Sequence, residues 1–107
     1  MSPTTSPTHC LLHLALPQAL EDGLLDALLA LPGPSPVLEV FRAESLGPDV
    51  PLPTALEQVR GRSQRRIVQL LLPLADVAPL LQALDQAGVT AGLRWWTTAV
   101  LAFGSHE

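Results

Sequence analysis

The 107-residue chain contains no lysine, no asparagine and no tyrosine, and it has a single cysteine. One thiol excludes an internal disulfide and suits a reducing compartment, so a cytoplasmic location is expected. Without lysine, all six basic residues are arginine, whose planar fork holds carboxylate and phosphate better than a point charge does. Genome composition alone also produces such a bias. The net charge of −4 argues against a general nucleic-acid binder. No apolar run approaches the roughly 18–20 residues that span a bilayer, so direct membrane insertion is not expected. The opening MSPTTSPTHC has no basic region ahead of an apolar one, and no signal peptide is read there. Ser-His-Asp, paired-carboxylate, Walker-type and GxGxxG patterns are all missing, so an enzyme is not expected.

What the chain has in quantity is apolar surface. It is 48% hydrophobic with a mean hydropathy of +0.32, rich for a single small domain, and this points to a face buried against another subunit. Residues 1–8 are Ser/Thr/Pro-rich and read as a disordered tail, and 104–107 as a second one. Between them, 9–103 read as one domain.

His9–Leu16 alternates as a first strand, with Cys10, Leu12, Leu14 and Leu16 on one face. Pro17 suits the first turn of a helix carried by Leu20, Leu24, Leu28 and Leu31, and Pro32-Gly33-Pro34 stops it. Val37–Ala43 reads as a more polar edge strand. Residues 44–64 form a long connection with Pro48, Pro51 and Pro53, of the kind that is usually functional or mobile. Within it, Thr54-Ala55-Leu56-Glu57 is a capping-box pattern that allows a short helical turn over Ala55–Arg60.

Arg66–Leu72 leaves no polar position except Gln69 and is closed by Pro73, which predicts a central strand covered on both faces. Asp76 is placed to cap a second helix with Pro79 in its first turn, a stripe of Val77, Leu80, Leu81, Leu84 and Ala87, and Gly88 at C′. Gly92–Leu101 reads as a fourth strand with Trp95 and Trp96 on opposite faces.

The order β-α-β-β-α-β predicts an α+β, ferredoxin-like split β-α-β sandwich: an antiparallel four-stranded sheet with two helices on one face and the first and third strands central. The bare face holds too many apolar residues for water, so a homo-oligomer is expected, with one tryptophan under the helices and the other facing a second subunit.

Two constellations carry chemistry. Arg60, Gly61, Arg62, Arg65 and Arg66 place four guanidinium groups and glycine-flanking N–H groups where an anion or nucleotide phosphate could sit. A solvated strand entrance, or ion pairs to Glu57 or a neighbour, explains the same run. His9, Cys10 and His13 are the metal alternative. Within one chain the two histidines lie roughly 13 Å apart on one strand face and the thiol points the other way, so such a site would have to be shared between subunits. His106 and Glu107 read as tail rather than ligands.

The stretches CLLHLALP, LEQVRGRSQRRIVQLLLP and LRWWTTAVL resemble the PII-like signalling proteins, and more closely a bacterial branch of that superfamily typically encoded beside heavy-metal efflux pumps of the resistance-nodulation-division type. The resemblance covers roughly 9–103. It implies a homotrimer with sheets facing inward and a non-enzymatic regulatory role. It implies a small anionic ligand or an adenine nucleotide in the clefts between subunits, near Arg60, Arg62, Arg65 and Arg66. It also implies that the 44–64 loop, with Glu44, Asp49, Leu56 and Glu57, contacts a partner, a membrane transporter. The chain departs from classical PII proteins in having DQAGVTAGLRWW where they have a Gly-Asp-Gly-Lys phosphate loop, and in having no tyrosine to uridylylate. Related trimers in copper tolerance keep direct metal binding open as the alternative function.

Overall fold

A computed structural model of the chain describes residues 6–48, 50 and 52–106. The expectation of a disordered tail therefore lies, for 1–5, outside the described residues, as do Asp49, Pro51 and Glu107. The elements are β1 (His9–Pro17), α1 (Glu21–Leu29), β2 (Glu39–Ser45), α2 (Ala55–Arg60), β3 (Ser63–Pro73), α3 (Val77–Gln86) and β4 (Arg94–Val100), with 3₁₀ turns at Gln18–Leu20 and Leu74–Asp76.

The sheet order is β2-β3-β1-β4 and every pairing is antiparallel. That is the order and direction of a ferredoxin-like α+β fold, with β1 and β3 central as expected, although the helices cover β3 on one face only and Leu71 stays exposed on the other. Cys10, Leu12, Leu14 and Leu16 of β1, Val68, Leu70 and Leu72 of β3, and Leu24, Leu28 and Leu84 of the helices form one buried cluster. Both long helices thus cover the same face. The other face carries His9, Leu11, His13 and Ala15 of β1, Arg65, Ile67, Gln69 and Leu71 of β3, Phe41 of β2 and Trp96 of β4. Phe41, Leu71 and Trp96 keep 46%, 39% and 40% of their surface exposed there.

The two halves repeat one local device. Pro17 and Pro73 end β1 and β3 in nearly the same conformation, φ −57° ψ 142° and φ −59° ψ 142°, and each opens a 3₁₀ turn ahead of its helix. Proline has no N–H to continue a ladder and a φ that suits the turn. So α1 starts at Glu21 rather than Pro17, and Asp76 ends a 3₁₀ turn without a side-chain capping bond.

Strand boundaries also differ from expectation, among them the starts of β2 and β3. β2 begins at Glu39, because Pro34 and Pro36 offer no donors and Val37 stands 80% exposed. β3 begins at Ser63, three residues early, because Ser63, Gln64 and Arg65 pair with Ser45, Glu44 and Ala43. The irregular connection accordingly runs over 46–62, not 44–64, with α2 inside it. Trp95 lies on the helix side of β4 but stays 52% exposed, because β4 is an edge strand only partly reached by α3.

Candidate functional site

Pleating divides the arginine run. Arg65 and Arg66 are inside β3, so their side chains leave opposite faces of the sheet. Arg66 turns to the helix side and pairs with Glu21 at 3.4 Å. Arg65 turns to the open face, is 3% exposed, and donates to the Gly92 carbonyl oxygen at 3.1 Å. Arg62 precedes the strand and forms a solvent-exposed pair with Glu44 at 3.0 Å, a geometry that contributes little to stability. Glu44 also accepts from the Gln64 amide, and the Arg62 and Gln64 bonds hold its carboxyl below the ordinary range.

Arg60 ends α2 and lines a cleft of about 490 Å³ with Pro17, Gln18, Thr54, Leu56 and Gln64. Gly61 caps α2 in the left-handed region (φ 69°), and its N–H donates to the Glu57 carbonyl at 2.7 Å. That N–H is therefore committed to the helix cap, and the four guanidinium groups expected around one anion occupy four separate surroundings.

The capping box forms as the spacing requires. Thr54 Oγ1 accepts from the Glu57 N–H at 3.1 Å and donates to Glu57 Oε1 at 2.8 Å. The second carboxylate oxygen, Oε2, accepts from the Gln64 N–H at 2.7 Å. Glu57 therefore ties α2 to the start of β3. Read from sequence as a partner-facing residue, it is instead 6% exposed and acts as an anchor. The Thr54 hydroxyl first, then the Gln64 N–H, hold its carboxyl below the usual carboxylate range. The fully buried Ser63 hydroxyl lies near enough to add to this, without forming a hydrogen bond of its own among the described residues. Of the other loop residues expected to meet a partner, Leu56 is 58% exposed.

Sequence reasoning missed Arg94. It opens β4 opposite Ala15, while Arg65 lies opposite Pro17, so both occupy the open face at the same end of β1. With Leu46, Gly47, Pro48 and Val50 they line a cavity of about 400 Å³. Burial first, and the neighbouring Arg94 charge second, push the Arg65 pKa down, while Glu57 opposes them more weakly. The signal available in the sequence was an isolated arginine in LRWW, but its pairing with Arg65 depends on strand order.

Cys10 is fully buried in the core, and burial pushes its thiol pKa up. His9 and His13 lie on the opposite face, where His9 packs on Phe103 at 4.6 Å between centroids and His13 stacks on Trp96 at 5.2 Å. His13 also hydrogen-bonds the Thr98 hydroxyl. Among the described residues, no three His, Cys, Asp or Glu side chains converge as metal ligands would.

The family model described as "Protein of unknown function (DUF3240)" matches residues 5–107. The chain belongs to the DUF3240 family. No curated protein matches it. The chain is similar to a DUF3240 family protein from Shewanella baltica OS155, solved by crystallography, with a TM-score of 0.71 at 19% identity, covering 95% of this chain and all of that one. It is also similar to a Bacillus cereus protein related to NIF3, with a TM-score of 0.60 at 12% identity, covering 97% of this chain and 28% of that one. At these identities the likeness speaks for the DUF3240 fold and not for an activity. Among the described residues, no helix is long and apolar enough to cross a membrane.

Proposed function

We propose that this DUF3240 chain is a non-enzymatic, PII-like regulatory subunit. It assembles as a homotrimer in the cytoplasm and takes up a small anion or an adenine nucleotide at the clefts between copies. It acts on a membrane transporter, a heavy-metal efflux pump by the resemblance of its sequence, through the 46–62 connection. The observation that carries this reading is the way the connection is held. Its helix, α2, is tied to the sheet by the buried Glu57 carboxylate, which bridges Thr54 and the Gln64 N–H. A helix of six residues is too short to persist without such an anchor, and on this reading it exchanges between docked and released arrangements. A ligand that binds one of them better shifts the population. The exposed, apolar sheet face supports the assembly half of the reading, since patches of this kind on small domains usually meet another surface.

Light scattering at micromolar concentration tests the assembly. The wild type is expected at three copies, and Phe41→Asp, on the open face and remote from the helix-side core, is expected to yield single copies that remain folded. A folded single-copy wild type refutes the trimer. Calorimetry with AMP, ADP, ATP and cyclic nucleotides tests the ligand. No binding below millimolar, with no change in loop protection, refutes the nucleotide half. The alternative, a direct metal-binding module, rests on His9 and His13 sharing the open face, where copies could bring equivalents together. Copper or zinc titration of His13→Ala removes that residue from consideration if the stoichiometry is unchanged.

A further inference from the structure

The guanidinium pair at the end of β1 carries a narrower conclusion than the regulatory reading. Arg65 is 3% exposed, yet only one of its five N–H donors has a partner among the described residues, the Gly92 carbonyl. Neither Arg65 nor Arg94 takes part in the two ion pairs of the described residues, which use Arg62 and Arg66. Their Cα atoms lie two strand spacings apart across β1 and two residues apart along it, roughly 12 Å in all, and long side chains from both sides reach into that gap. A desolvated cation beside a second cation is unfavourable unless an anion joins them. The turn in which the Val50 N–H donates to the Gly47 carbonyl at 3.4 Å walls the cavity with Leu46, Pro48 and Val50.

We infer that Arg65 and Arg94 form a binding site for a compact tetrahedral dianion, a phosphoryl group carried on a small aliphatic body. Two forks reaching one region favour a single centre of double charge, whose oxygens accept from both guanidinium groups at once. Two carboxylates held apart on a chain would each engage only one fork. The cavity, about 400 Å³, is walled by aliphatic residues and has no aromatic ring among its lining side chains on which a base would stack. The inference deepens the regulatory reading by naming the ligand's charged group, and depends on it only for what the ligand is for.

The test is calorimetry and thermal unfolding of the full chain with inorganic phosphate, sulfate, glycerol 3-phosphate and succinate. Phosphate or sulfate is expected to bind with millimolar or better affinity, glycerol 3-phosphate more tightly, and succinate weakly. Arg94→Met is expected to lower phosphate affinity at least about tenfold, because one set of charge-assisted bonds is lost. Arg65→Met is expected to abolish the phosphate response while leaving the free chain as stable or more stable, since it removes a buried charge that forms no ion pair among the described residues. Phosphate, sulfate and glycerol 3-phosphate all failing to bind, or binding unchanged in both variants, overturns the inference. So does binding that appears only in Asp49→Asn, because the carboxylate of the 46–50 sequence would then be the occupant. A trimer that responds to nucleotide but not to phosphate sinks this inference alone, and a single-copy chain that binds phosphate sinks the assembly alone.

Discussion

Replacing Gly92 by alanine separates two effects that usually come together at a turn. Gly92 has φ +69°, in the left-handed region, and an added Cβ would meet Cγ and Cδ of Pro17 at 3.2 and 3.3 Å. Gly88 is its natural control, with φ +73° and nothing within 4 Å of the added carbon. Both substitutions incur the left-handed penalty, about 1–2 kcal/mol, and both gain the same small benefit from a stiffer unfolded chain. Only Gly92→Ala must also move a rigid pyrrolidine ring that ends β1, an overpacking cost of roughly 1 kcal/mol or more. Gly92→Ala is therefore expected to destabilise by about 2–3 kcal/mol and Gly88→Ala by about 1 kcal/mol. Urea unfolding at constant m-value measures both, and at about 4 °C or more per kcal/mol the melting temperatures should separate clearly. The same turn supplies the carbonyl that seats Arg65. Phosphate binding should weaken in Gly92→Ala and stay intact in Gly88→Ala. Equal stability losses in the two variants, together with equal phosphate affinities, refute the view that this turn is packed against Pro17 and positions the arginine.

Three further outcomes are expected. Hydrogen bonds from Thr54 and Gln64 depress the Glu57 pKa, so the α2 anchor is complete above the ordinary carboxylate value of about 4.3 and is lost as pH falls through the depressed one. Pepsin should therefore cut 46–62 increasingly as pH drops toward 2, and Glu57→Ala should be cut there by a neutral protease already at pH 7. Thr54→Ala should loosen α2 by about 1 kcal/mol, read as faster amide exchange over Ala55–Arg60 with the melting temperature of the sheet unmoved. Cys10 is fully buried with its pKa raised by burial, so native protein should react with a thiol reagent only at the rate of unfolding and denatured protein at once.

Local patterns were enough for the elements, the two central strands and the α2 cap. Alternation in CLLHLAL and the unbroken IVQLLL run place β1 and β3, and Thr54 three residues before Glu57 makes a capping box whatever surrounds it. These features rest on interactions between near neighbours in the chain. The division of the arginines was not legible, because whether Arg65 and Arg66 share a surface depends on where β3 starts. That start is set by the partners Ala43, Glu44 and Ser45 some twenty residues away. Glu57 read as exposed for the same reason, since its burial comes from the Gln64 N–H across a turn.

The amino-acid sequence alone therefore determined the α+β order and which face of the sheet packs under the helices. Both follow from periodicity along a continuous backbone. Only the tertiary structure decided which cations meet. Arg65 and Arg94 belong to strands that are not neighbours and are separated in sequence by an entire helix. Their approach is fixed by sheet order and register, and charge at that distance does not depend on how far apart two residues stand along the chain.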